Sequence, residues 1–287
     1  MKQLALLCLL LTSLITAAAE PLRFVTWNLE WFPGLRPTAS AEEADKHMKQ
    51  SQEVLKKLNP DIFVAEEIRD WAVFHELVSA VPGLTVHVVS SFRDTESGRI
   101  RNQQIGIASK LKCRGAWWEN WAANYPNISR GFSFAALEQP DGGLLMTYGI
   151  HLKSNAGGNS EAGAANNTAM RNEQTKQLLS HKQTIETAFT GQKIAGWIAA
   201  GDFNTNHDGH FSDQVIEMMT KGGYYNTWAK VPREKRLTWR NAPDSPYEPT
   251  TFDYIFTQGI KQTEAFILDA PREVSDHFPV GIRVMAP

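Results

Sequence analysis

Cysteine is nearly absent. Of the two in 287 residues, Cys8 lies in an apolar N-terminal stretch and Cys113 is the only other, so no disulfide can staple the folded part. Stability has to come from a packed core, with a bound metal as the other source. Long apolar runs are missing too. The stretch Leu4 to Ile15 falls well short of the roughly 20 residues that span a bilayer. With Lys2 ahead of it and Ala17-Ala18-Ala19 behind, it reads as a cleaved export signal over residues 1–19, which predicts a periplasmic or secreted protein starting near Glu20. Cys8 sits too early in the run to be a lipid-modified cysteine. Neither sign of charge dominates: 29 Lys and Arg face 31 Asp and Glu, for a formal charge of −2. That argues against tight nonspecific nucleic-acid binding, which rests on Lys and Arg neutralising phosphates. An enzyme that grips a few phosphates locally is still compatible. No internal repeat or linker divides residues 20–287, so one domain is expected there.

What is present is an alternation of strand and helix signals. Residues 22–27 are apolar, β-branched or aromatic and end at Asn28, as a buried strand would. Ser40 and Glu43 have capping-box spacing ahead of Ala44, Met48, Leu55 and Leu58, which predicts a helix stopped by Asn59-Pro60. Strands are expected at 62–65, 84–90, 103–109, 130–137, 144–151 and 196–200, then near 252–257, 263–268 and 279–285. Pro140-Asp141-Gly142-Gly143 should turn a hairpin. Helices are expected near 70–80, 168–189 and 210–220, with a mobile Asn, Gly and Ser-rich loop over 155–167 and an irregular segment over 229–250. Mixed sheets with helices outside make this an α/β chain.

Several apolar strands end beside, or contain, a group suited to metal or phosphate chemistry: Asn28, Glu67, His151, Asp202 with Asn204, and Asp253. Asp276 and His277 follow near the C-terminus. Carboxylates seldom sit at buried strand ends unless paired or bound to a cation. A hard cation such as Mg²⁺ takes oxygen ligands and few protein carboxylates, leaving room for water and phosphate. Glu67 and Asp276 meet that demand, while Asp202 and the two histidines suit water orientation and charge stabilisation. Singly, each has a structural reading as well: Asn28 and Gly201-Asp202-Phe203-Asn204 as turns, Glu66-Glu67 as a charged helix start, His151 as a satisfied core histidine, Asp276-His277 as a surface turn. Asp253 within Phe252-Asp253-Tyr254-Ile255 is the hardest to dismiss, because a charge in so apolar a run needs a partner.

The order of Thr26-Trp27-Asn28, Ala65-Glu66-Glu67, Gly149-Ile150-His151, Gly201-Asp202-Phe203-Asn204, Phe252-Asp253-Tyr254 and Ser275-Asp276-His277-Phe278-Pro279 resembles the endonuclease/exonuclease/phosphatase family. The resemblance implies a four-layer αββα sandwich, two mixed β-sheets flanked by helices. It implies a metal held by Glu67 with Asn28 and Asp276, and water positioned by Asp202. It further implies phosphate held by Asn204 and His151, and His277 oriented by Asp253. Mg²⁺ is the expected cofactor, with Mn²⁺ or Ca²⁺ as alternatives. The expected substrate is a phosphoester, DNA or RNA first, with a sphingomyelinase-like or other phosphatase activity and a non-catalytic binding module as the competing readings. A monomer without stable membrane insertion is expected. Two positions depart from the family pattern: Glu66 stands where Gln is usual, and Gln103 where the deoxyribonuclease branch has a Glu supporting the first histidine. Lys153 and Arg171 are candidate substrate contacts, and Trp117, Trp118 and Trp121 are either base-stacking or packing residues.

Overall fold

Ser40 opens the first helix as its spacing predicts: its hydroxyl accepts the Glu43 N–H, and the Glu43 carboxylate accepts the Ser40 N–H. In the computed structural model, which describes residues 20–94, 97–101, 103–122, 130–209, 212–241 and 247–285, that helix is one of four. The expected export signal lies outside the described residues.

The first half of the chain holds β1 (Leu22–Phe32), α1 (Ala41–Leu58), β2 (Ile62–Ile68), α2 (Trp71–Val78), β3 (Thr85–Val89) and β4 (Gln104–Ser109). Next come β5 (Lys112–Asn120), β6 (Gly131–Glu138), β7 (Leu144–His151), α3 (Glu161–Ala188) and β8 (Ile194–Asp202). The last elements are α4 (Val215–Lys221), β9 (Tyr225–Asn226), β10 (Asp253–Gln258), β11 (Phe266–Ile267) and β12 (Val280–Val284). One sheet runs β11-β12-β1-β2-β4-β3 and the other β5-β6-β7-β8-β10-β9. Each is mixed, with a single parallel pair, β1 with β2 and β7 with β8. Phe24, Val64, Ile105 and Ile107 of the first sheet join Phe134, Tyr148 and Ile150 of the second in one apolar cluster. The other face of the first sheet offers Val25, Trp27 and Phe63 to Met48 and Leu55 of α1 and Phe74 and Leu77 of α2. Leu178 and Ile185 of α3 close the second sheet from outside. The result is the expected four-layer sandwich. No helix among the described residues is long and apolar enough to cross a membrane.

Three expectations need correction. The α3 helix begins at Glu161, not 168, because Ser160 caps it by accepting the Gly163 N–H, and its Ala-rich first turns outweigh the Asn and Gly that read as loop. The tryptophan-rich stretch belongs to an edge strand, β5, where Trp117 packs on Phe134 and Trp118 on Phe92, while Trp121 just beyond it packs on Phe132. These ring contacts are those of packing residues. The two-residue β9 was not anticipated at all.

Candidate active site

Topology brings the singled-out residues to one edge. Asn28, Glu67, His151 and Asp202 lie at or near the C-terminal ends of the two parallel pairs, and His151 stands opposite Asp202 in register. Asp253 opens β10, which is antiparallel to β8, so its start meets the same edge opposite Asp202. Asp276 and His277 precede β12, which is antiparallel to β1. A break in β1–β2 register between Asn28 and Phe32, with positive φ at Glu30, Trp31 and Glu67, separates Glu66 from Glu67. Glu66 is fully buried and accepts from the Thr26 hydroxyl at 2.8 Å, while Glu67 lines the cleft.

Asp202 is the centre of the cluster. Its Oδ2 accepts from the Asn28 amide at 3.1 Å and lies 3.6 Å from His151 Nε2 and 3.9 Å from His277 Nε2. Its Oδ1 accepts the Asn204 N–H at 2.8 Å. The same Asn28 amide reaches Glu67 Oε1 at 3.4 Å, and the Trp31 N–H donates to Glu67 Oε2 at 3.0 Å. His277 Nδ1 pairs with Asp253 Oδ2 at 2.8 Å, and the Ser275 hydroxyl accepts the His277 N–H. Asp276 is held from three sides: Trp239 Nε1 donates to its Oδ2 at 2.9 Å, its N–H donates to Glu30, and its carbonyl accepts from the Arg240 N–H.

Burial sets the proton affinities. Desolvation pushes Asp202 up to about 7, with Asp253 and Glu67 adding to the rise against the pull of His277 and the Asn204 N–H. Burial by itself would lower His277, but Asp253, Asp202 and Asp276 outweigh it and hold the imidazole well above its usual range, hence charged. His151 goes the other way: burial, then the positive charges of Arg130 and His277, keep it neutral.

A divalent cation fits the acidic side of this edge. Glu67 is open to the cleft, oxygen donors dominate, and a bound cation would offset both the desolvation of Asp202 and the repulsion that Asp253 and Glu67 add to it. The Asn28 amide oxygen accepts the Glu30 N–H, and its nitrogen bridges Glu67 and Asp202. Asp202, Asp253 and His277 also offer ligand atoms within 4.8 Å of one another. Within that trio Asp253 and His277 are already bonded to each other.

Lys153 and Arg171, the candidate substrate contacts, both bond within the protein, and Arg171 also lines the cleft. Lys153 Nζ donates to the Ser154 and Ala156 carbonyls, and Arg171, 1% exposed, pairs with Asp213 at 2.9 Å while bonding the Lys153 carbonyl and Asn155. Both cations organise the loop between β7 and α3. The residue that sequence reasoning missed is Arg130. It is buried, with Nη1 donating to Gln103 and Nη2 to the Leu152 carbonyl, and its charge acts on Glu67, Asp202 and His151. Gln103 thus holds Arg130, while His151 Nδ1 has no hydrogen-bond partner among the described residues. No local motif marks Arg130; the only signal is a lone cation at the start of an apolar strand.

No protein-family model and no curated protein matches the sequence. Solved structures do. An endonuclease/exonuclease/phosphatase from Bacteroides vulgatus superposes with a TM-score of 0.68 at 14% identity, covering 94% of this chain and 100% of that one. One from Beutenbergia cavernae gives 0.66 at 19% identity, covering 93% of this chain and 72% of that one. A mannosyl-6-phosphatase of Bacteroides thetaiotaomicron gives 0.62 at 15% identity, covering 92% and 100%. At such identities the likeness is one of fold, and it spans nearly every described element. The chain has the endonuclease/exonuclease/phosphatase fold.

Proposed function

We propose that the protein is a metal-dependent phosphoester hydrolase that attacks phosphorus directly with water. The observation that carries this reading is the surroundings of one oxygen, Asp202 Oδ2, with the Asn28 amide, His151 Nε2 and His277 Nε2 all within 3.1–3.9 Å. A carboxylate with proton affinity near neutrality can take a proton from water as its oxygen bonds to phosphorus. Charged His277, oriented by Asp253, faces the negative charge that builds on the phosphoryl oxygens, and neutral His151 with the Asn204 amide holds the phosphate. The ester P–O bond breaks opposite the attacking water, and the departing oxygen takes a proton from solvent. A divalent ion held by Glu67 and Asp276 would supply further charge neutralisation on the phosphate. Mg²⁺ is the first choice, and Mn²⁺ or Ca²⁺ suit the same oxygen donors.

The reading extends to an exported monomer, on the strength of the N-terminal sequence alone for export. Nucleic acid is the polymeric substrate to test first, with sphingomyelin and phosphomonoesters beside it. Assays with each divalent ion and with chelator, on wild type and Asp202→Ala, decide the matter. Hydrolysis that survives both chelator and the substitution overturns the proposed chemistry.

A further inference from the structure

The cleft that opens from Asp202 has a volume of about 710 Å³, within the roughly 300–1,000 Å³ range of small-molecule sites. One wall is aromatic. Trp239 and Phe252 sit 5.7 Å apart at an interplanar angle of 48°, and Tyr247, 64% exposed, stands at the rim. The facing wall, from the loop after β7 and the first turns of α3, is neutral and hydrogen-bonding, with Ser154, Asn159, Asn167 and Thr168.

Charge on these walls is sparse and already matched. Arg171 and Arg233 are the Lys or Arg residues among the described lining. Arg171 is paired with Asp213, and Arg233 lies 3.1 Å from Glu248 and 3.4 Å from Asp208. Residues 210–211 and 242–246, which flank described lining residues, contain no Lys or Arg in sequence. A nucleic-acid strand crossing the cleft would carry phosphates on both sides of the one being cleaved, and its affinity would rest on cations that neutralise them. The described walls offer no such track.

From this we infer the substrate class, on the basis that the site is a phosphoester hydrolase: a compact ester with one phosphate on a neutral, hydroxylated ring, as in a sugar phosphate. The phosphate sits at Asp202 and His277. One face of the ring lies on Trp239 and Phe252, where its C–H groups displace water from apolar surface, and its hydroxyls meet the Asn159 and Asn167 side. Trp239 couples the two halves of the site, since its Nε1 holds Asp276 while its ring forms the wall.

The test compares a hexose 6-phosphate, a nucleoside 5′-monophosphate, a single-stranded oligonucleotide and ringless propyl phosphate, each with Mg²⁺ and with chelator. It uses wild type and a Tyr247→Ser, Asn159→Ala double variant, two exposed positions outside the catalytic cluster. The expected result is a kcat/KM for the hexose phosphate at least tenfold above the oligonucleotide, with the double variant raising KM for the hexose phosphate several-fold and leaving propyl phosphate unchanged. A preference for the nucleotide over the hexose phosphate shows that a base, not a sugar alone, is the ring read and overturns the sugar assignment. A preference for the oligonucleotide, or an equal effect of the variant on both small esters, overturns the inference altogether. Thermal-shift titration with the hexose phosphate reads the cleft without turnover: no shift overturns the inference, whereas a shift without chelator-sensitive hydrolysis of any ester overturns the hydrolase reading and keeps the cleft's occupant.

Discussion

Asp253 shows how a single buried carboxylate acts through another group. One of its oxygens holds His277 Nδ1, and the other, Oδ1, is buried without a hydrogen-bond partner among the described residues. Asp253→Asn keeps the shape while removing the charge that keeps His277 protonated. We expect kcat/KM to fall roughly 10²–10⁴-fold, the span of a lost acid–base contribution, with the melting temperature little changed. Activity within twofold of wild type would remove Asp253 from the mechanism. At this scale the sequence was informative where a polar residue interrupts an apolar run, as at Asp253, and uninformative where the meaning depends on a distant neighbour. Arg130 is the clearest case, because Gln103 just before β4 and Leu152 just after β7 are its partners. Asn28 was legible as a site residue, but not the side its amide turns to the carboxylates, which the Glu30 N–H decides.

Elements show a similar division. The capping box made α1 readable to within a residue, whereas the start of α3 was hidden because its Asn and Gly argue for loop against the alanines and the Ser160 cap that argue for a helix. Arg171, read from sequence as a substrate contact, ties the middle of α3 to Asp213, 42 positions later. Arg171→Met should leave the buried Asp213 without its counter-ion, though the Thr205 hydroxyl still donates to it, and cost about 3–5 kcal/mol, with Asp213→Asn on top restoring part of the loss in chemical denaturation. If Arg171→Met is neutral, the pair does not hold the loop. His47 on α1 ties two more segments, accepting the Gly34 N–H at Nδ1 and donating from Nε2 to the Val274 carbonyl. Burial lowers it from 6.5 to about 4. The folded state therefore binds its proton less readily than the unfolded chain, so the stabilisation is complete above about pH 6.5 and is lost as pH falls toward 4. A loss of about 3 kcal/mol over that window, flattened in His47→Gln, is the expected denaturation profile.

For the whole molecule, the sandwich depends on how closely its sheets approach. Gly149 on β7 lies where an added Cβ would come 2.7 Å from Ile105 Cγ2 and 3.0 Å from Val64 Cγ1, both on the opposite sheet. Gly149→Val should overpack this seam and cost about 1–3 kcal/mol by calorimetry, and it should also lower activity, because His151 is two residues further along the strand. A stable, fully active variant would show that the seam can relax. The sandwich as a whole could be anticipated because its strands, their order and the residues at their ends agree; the pairing partners of the short β9 and β11 could not, since two-residue strands carry no period to read.

The Asn28 amide, reaching Glu67 on its own sheet and Asp202 on the other, makes the site a polar rivet between two sheets whose shared face is mainly apolar. Anything that loads this edge should therefore stiffen the molecule as a unit. Amide hydrogens on β1 and β8 would then exchange more slowly together when phosphate and metal bind, rather than one sheet at a time.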